Sequence, residues 1–157
     1  MADLEMTGIS SRFDGYCSDC TNTHLAGGAL PTQHQACLAA VTQAAFATAV
    51  EALKPGRLAS DIWGAAKGVY DRFSVPIPHY IGHQVGAGVN ELPRLVAYDH
   101  TPIQANMVFA VEPGAYDGAG GSFGVRCEKV VWVRERGAEV LSQFDWGIQG
   151  SLGEDRG

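Results

Sequence analysis

The sequence predicts an α+β fold in which two long helices cover an antiparallel sheet. Three observations predict it. Apolar residues recur at helical spacing from Thr32 to Leu53 and again from Ser60 to Arg72. Short runs rich in β-branched and aromatic residues flank that helical stretch on both sides, and Gly- or Pro-containing segments separate them.

Taken in order, residues 3–20 read as a hairpin of two strands, with a turn among Gly8, Ser10 and Ser11 and with Phe13 and Tyr16 as aromatic strand residues. The loop HLAGGALPT follows. Pro31 and Thr32 start a helix, whose apolar positions Ala36, Leu38, Ala40, Val41, Ala44, Ala45, Val50 and Leu53 run to a stop at Pro55-Gly56. Ser60 is the expected N-cap of a second helix that continues through Ile62, Ala66, Val69 and Tyr70 to near Arg72. Pro76 and Pro78 in SVPIPHY cannot continue a helix and lead extended chain into HYIGHQVGAGVNELP. Beyond the irregular RLVAYDHTPIQ, strands are expected near residues 107–112, 122–133 and 139–141. DGAGG reads as a hairpin turn, because no helix pattern or lysine follows it as a phosphate loop requires. One domain over residues 1–146 is expected, with a frayed polar tail over 147–157.

A chain of 157 residues with 46% hydrophobic content can bury a real core. The formal net charge of −6, with no basic run, argues against a nucleic-acid or anionic-membrane partner. The start MADLEMTGIS has neither a basic nor an apolar signal region, and no apolar run is long enough to span a bilayer, so the expected address is the cytoplasm. Cys17, Cys20, Cys37 and Cys127 are too few for a disulfide scaffold of this size. The lone C-x-x-C of Cys17 and Cys20 lacks the second pair that a zinc site would add.

The chemistry centres on HYIGHQVGAGVNELP. Its glycines and prolines favour extended segments and turns, and in a strand His79 and His83 would look into one cavity. Taken alone, a His among Gly and Val is more often structural. Glu112 in FAVEPGAY, Glu128 in GVRCEKVVWV and Asp19 in GYCSDCTNT change that balance, since each is an acid set in an apolar β-like run. An ionised carboxylate buried there needs a partner or a metal. One His and three carboxylates suit a divalent ion such as manganese, cobalt, iron or zinc.

In the order GYCSDCTNT, PTQHQ, LKPG with SDIW, HYIGHQVGAGVNELP, NMVFAVEPGAY and GVRCEKVVWV, the chain resembles the pita-bread family of Xaa-Pro aminopeptidases, prolidases, methionine aminopeptidases and creatinases. The resemblance covers most of residues 13–141. It implies a metal-dependent hydrolase in which metal-bound hydroxide attacks a peptide carbonyl. The implied ligands of one or two ions are Asp19, His83, Glu112 and Glu128, with Asp19 and Glu128 in bridging positions. His79 would face the substrate and donate a hydrogen bond to the oxyanion, and Glu112 would relay the proton. Asn90 and Arg126 are the other implied substrate contacts. Arg126 would hold a nearby carboxylate by a bidentate pair, its alternative being an ordinary strand-surface arginine.

The departures matter too. Gly8 stands where the peptidases have another Asp ligand, which Glu5 or Asp3 could replace only on a longer hairpin. Asn90 stands where many have a His, Asn22 replaces an Arg, and Lys129, expected on the face opposite Glu128, replaces an acid. These features leave two alternatives: a creatinase-like hydrolase or lyase on a small non-peptide substrate, or a pita-bread module without activity. The chain looks like an N-terminally truncated pita-bread domain. An uncovered apolar face and an open strand edge are therefore expected, with dimerisation through them or marginal stability.

Overall fold

The computed structural model describes residues 3–118 and 123–150. The chain begins with β1 (Leu4–Ile9), β2 (Arg12–Phe13), β3 (Tyr16–Cys17) and β4 (Cys20–Leu25). β1 pairs antiparallel with β4, and β2 with β3, making one long hairpin. Its turn is Asp14-Gly15, both at positive φ (48° and 86°), not the expected Gly8, Ser10 and Ser11. Asp-Gly is the dipeptide that such a two-residue turn selects, because both positions need positive φ. β1 is exposed along most of its length and pairs only with β4. Met6 and Ile9 of β1, with Phe13 of β2 and Tyr16 of β3, are exposed.

Next come α1 (Gln33–Ala52) and α2 (Ala59–Arg72). The α1 start follows the sequence expectation: Thr32 Oγ1 accepts from the Gln35 backbone N–H, and Gln35 Oε1 accepts from the Thr32 N–H. Thr32→Ala is expected to lower stability by about 1 kcal/mol, read as a shift in the urea midpoint at unchanged slope. α2 begins earlier than expected, with Leu58 and not Ser60 at the N-cap. Asp61 accepts from the Leu58 N–H, while the Ala59 and Ser60 N–H groups donate to the carbonyls of Thr101 and Asp99. Backbone from a distant loop thus satisfies donors that a side-chain cap would otherwise meet.

The remaining strands are β5 (Gly82–Gln84), β6 (Glu91–Arg94), β7 (Val108–Val111), β8 (Gly114–Tyr116), β9 (Gly124–Arg126), β10 (Lys129–Arg134) and β11 (Gly137–Val140). Five of them form an antiparallel sheet in the order β11-β10-β7-β5-β6, and β8 pairs with β9. The strand expected over 122–133 is therefore two, broken at Cys127 and Glu128. The DGAGG turn falls partly outside the described residues, as does Ser122. The core joins Leu38, Val41 and Phe46 of α1 with its C-cap Leu53, Ile62 and Tyr70 of α2, and Phe109, Val111, Val131 and Val133 of the sheet.

The tail expected from residue 147 is docked as far as Gly150. Ile148 is buried, the Gly147 N–H donates to Asn22 Oδ1, and the Gly150 N–H donates to Gln43 Oε1. The physical reason is an apolar anchor with satisfied backbone groups. Residues 151–157 of that tail lie outside the described residues. Among the described residues no helix is long and apolar enough to cross a membrane.

Candidate metal centre

Four chain segments converge on one point because the sheet and the long hairpin are stitched together at Thr21 and Glu128. These two residues exchange backbone hydrogen bonds, N–H of Thr21 to O of Glu128 at 3.3 Å and the reverse at 2.9 Å. The stitch carries Asp19, two residues before Thr21, to the sheet. His83 is the middle residue of β5, paired on one side with Arg94 of β6 and on the other with Ala110 of β7. Glu112 directly follows β7, and its N–H donates to Ile81 O at 2.7 Å, which fixes it beside His83.

Ligand atoms of Asp19, His83 and Glu128 lie within 4.8 Å of one another. Glu112 joins them: its Oε1 is 3.2 Å from His83 Nε2, while Asp19 Oδ2 is 3.6 Å from the same nitrogen. His83, Glu112 and Glu128 are all buried, and Asp19 is half-buried. The His83 Nδ1–H donates to the Gln84 carbonyl at 3.0 Å, so in the neutral ring Nε2 presents its lone pair to the acids. Burial acts to lower the His83 pKa, but Glu112, the Gln84 carbonyl and Asp19 outweigh it, and the net shift is upward. Burial likewise pushes the Glu128 carboxyl up to about 7, with Glu112 and Asp19 adding to the shift and the Thr21 hydroxyl opposing it.

This donor set fits a divalent ion. Glu112 Oε1 is buried and 3.2 Å from His83 Nε2, so the pair calls for either a proton on the ring or a cation between the two groups.

Beside the ligands lies a polar cluster. His79 sits in the bend before β5, outside the strand that was expected to align it with His83. Its Nδ1–H donates to Tyr80 O at 2.6 Å, so Nε2 accepts from the Tyr116 hydroxyl and Arg126 Nη2, each at 3.3 Å. The expected oxyanion donor is thus an acceptor in this arrangement. Burial, then Arg126, lowers its pKa, which keeps the ring neutral. The expected Arg126 pair exists but is single, with Nη1 at 3.6 Å from Glu112 Oε2. Gly114 and Gly124 make the cluster possible. A Cβ at Gly114 would meet His79 Nε2 at 3.0 Å, and one at Gly124 would enter the Tyr116 ring.

Asn90 is not among the ligands. It is exposed, donating to the Tyr80 hydroxyl at 3.3 Å and accepting from Arg94. The Tyr80 ring lies 5.8 Å from that of His79 and 6.0 Å from that of His83, so Asn90 and Arg94 form a rim next to the cluster. Glu5 and Asp3 are exposed and stand outside the cluster. Lys129 does turn away from Glu128, packing on Phe144 and Trp146. Ser10, Thr21, Tyr80, Arg94 and Tyr116 were missed from sequence. Only Thr21 left a signal, an alternate position in the strand that follows Asp19.

The sequence profile of metallopeptidase family M24 matches residues 3–135. The chain is 33% identical over 145 residues to the Xaa-Pro dipeptidase of Pyrococcus furiosus, covering 91% of this chain and 40% of that protein. Among solved structures it is similar to the prolidase of Pyrococcus horikoshii, with TM-score 0.86, 29% identity, and coverage of 94% of this chain and 42% of that one. It is also similar to the X-Pro aminopeptidase of Thermotoga maritima, with TM-score 0.87, 26% identity, and coverage of 96% and 42%. The chain therefore spans about two fifths of the length of these relatives, and over that span it has the expected pita-bread architecture. The matched stretch runs from β1 to the end of β10 and includes every residue of the cluster; the chain belongs to metallopeptidase family M24.

Proposed function

We propose that the chain carries the metal centre of a peptide-bond hydrolase of the Xaa-Pro dipeptidase type, with Asp19, His83, Glu112 and Glu128 holding a divalent ion such as manganese or cobalt. The observation that carries this reading is the convergence of ligand atoms of Asp19, His83 and Glu128 within 4.8 Å of one another, with the buried Glu112 Oε1 3.2 Å from His83 Nε2. When bound there, such an ion polarises a carbonyl and makes water acidic near neutral pH.

The protein's own groups do the rest. Arg126, which has N–H groups beyond those facing His79 and Glu112, is the donor placed to hold the carbonyl oxygen as its charge grows, while the Tyr116 hydroxyl proton goes to His79. His79 accepts from both and so keeps Arg126 aimed, a positioning role in place of direct donation. A carboxylate of the cluster, Glu112 or a neighbouring acid, relays the proton of the attacking water to the leaving nitrogen. Asn90, held by Tyr80 and Arg94, lines the rim where the rest of the substrate lies. Preference for proline at the scissile bond rests on the dipeptidase relatives alone.

Hydrolysis of an Xaa-Pro dipeptide is expected to stop on adding a chelator and to return with manganese(II). Chelator-resistant hydrolysis overturns the reading. Gly8 and the amide of Asn90 favour a second reading, turnover of a small non-peptide amide or amidine at the same centre. Cleavage of the dipeptide with no turnover of such compounds removes it. A chain that binds the ion yet turns over neither class of substrate is instead a binding module.

A further inference from the structure

The oxygens left free in the cluster count out a single coordination sphere. Asp19 Oδ1 accepts from Ser10 Oγ at 2.8 Å, so Oδ2 is the oxygen turned toward His83. Glu128 Oε2 accepts from the Thr21 hydroxyl. Glu112 Oε2 faces Arg126 Nη1, leaving Oε1 for His83. Each of the three acids therefore has one oxygen held by a protein donor. Asp19, His83 and Glu128 bring three ligand atoms within 4.8 Å of one another, and Glu112 Oε1 stands 3.2 Å from His83 Nε2, a set that suits one ion with room for water.

A second ion would need carboxylates that bridge through both oxygens, or further ligands. The neighbouring strand offers none. Gly8 is paired with Thr21, and a Cβ at Gly8 would lie 3.5 Å from Thr21 Oγ1, at the hydroxyl that holds Glu128. The position beside the pair is thus open, with ordinary contact distance, and holds no side chain. Glu5 is three residues away along β1, about 10 Å at strand rise, and an odd step puts it on the other face.

We propose that the centre is mononuclear: one divalent ion held by Asp19 Oδ2, His83 Nε2, Glu112 Oε1 and Glu128 Oε1, with the Ser10 and Thr21 hydroxyls and Arg126 capping the remaining oxygens. This rests on the metal-centre reading above. It sets the chemistry available, because the water activated there has one cation beside it, and Arg126 supplies the other positive charge that a second ion would bring.

The test is metal stoichiometry on the full chain, dialysed against manganese(II), by elemental analysis and electron paramagnetic resonance. One manganese per chain, with the resolved hyperfine pattern of an isolated ion, is expected. Gly8→Asp puts a carboxylate in the open position beside Thr21 and is expected to raise the count to two, with a spin-coupled signal. Two coupled ions in the unmodified chain overturn the mononuclear assignment while leaving the metal centre standing. No bound manganese overturns both. A Gly8→Asp chain that is folded by circular dichroism but holds a single ion overturns the role given to Gly8.

Discussion

His83→Ala is expected to abolish manganese(II) binding by the folded chain at the proposed centre. The expected fall in manganese(II) affinity is more than about 100-fold, since even partners one step removed from a metal cost 10- to 100-fold when lost. The reason is geometric. His83 Nε2 is the one nitrogen among the four proposed ligands and lies between Asp19 and Glu112, so its removal opens the middle of the donor set and brings three buried or half-buried carboxylates together without a spacer. Thermal unfolding with and without manganese reads the effect directly. At a free ion concentration near 100 times the dissociation constant, wild type gains about 2.7 kcal/mol from binding, and the variant gains essentially none. Asn90→Ala, on the exposed rim, is the control expected to keep the full gain. A His83→Ala chain that retains one ion per chain at wild-type affinity removes His83 from the centre.

The acids stood out because a carboxylate in an apolar run has few ways to exist, and the structure seats each at a strand boundary, Asp19 between β3 and β4, Glu112 directly after β7 and Glu128 between β9 and β10. The start of α1 was legible for a similar reason: Thr32 and Gln35 satisfy each other's backbone within one turn. What failed to show was set by distant chain. The α2 start depends on carbonyls of Asp99 and Thr101, about forty residues downstream, so Ser60 looked like a cap and is not one. The break between β9 and β10 comes from the backbone exchange of Glu128 with Thr21, across more than a hundred residues. The His79 role reversed for the same kind of reason. Which ring nitrogen carries the proton is decided by the Tyr80 carbonyl, and nothing in the spacing of His79 and His83 encodes that. The one local error was the hairpin turn, where Asp14-Gly15 was a stronger signal than the Gly8, Ser10 and Ser11 cluster.

Gly82→Ala is expected to cost about 3 kcal/mol of stability and to weaken metal binding in the same variant. Gly82 opens β5, the strand that carries His83 and is paired on both sides, with Val111 of β7 as its partner. A Cβ there would overlap the Ala110 carbonyl oxygen and sit 3.2 Å from the Val111 Cα and 3.1 Å from Leu95 Cδ1. The first two contacts are backbone, which cannot swing aside, so the strands must part. The same movement pulls Leu95 away from the Gly82 carbonyl, to which its N–H donates at 2.8 Å, and shifts the residue next in the chain, His83. Gly64→Ala is the contrasting case. Gly64 lies inside α2 with nothing within 4 Å of its would-be Cβ, so alanine there should stabilise by about 0.5–1 kcal/mol through helix propensity alone. Urea unfolding of the two variants should therefore move the midpoint in opposite directions. If both move upward, the close approach of β5 to β7 does not constrain Gly82, and the rigid seating of His83 that the metal centre depends on loses its structural basis.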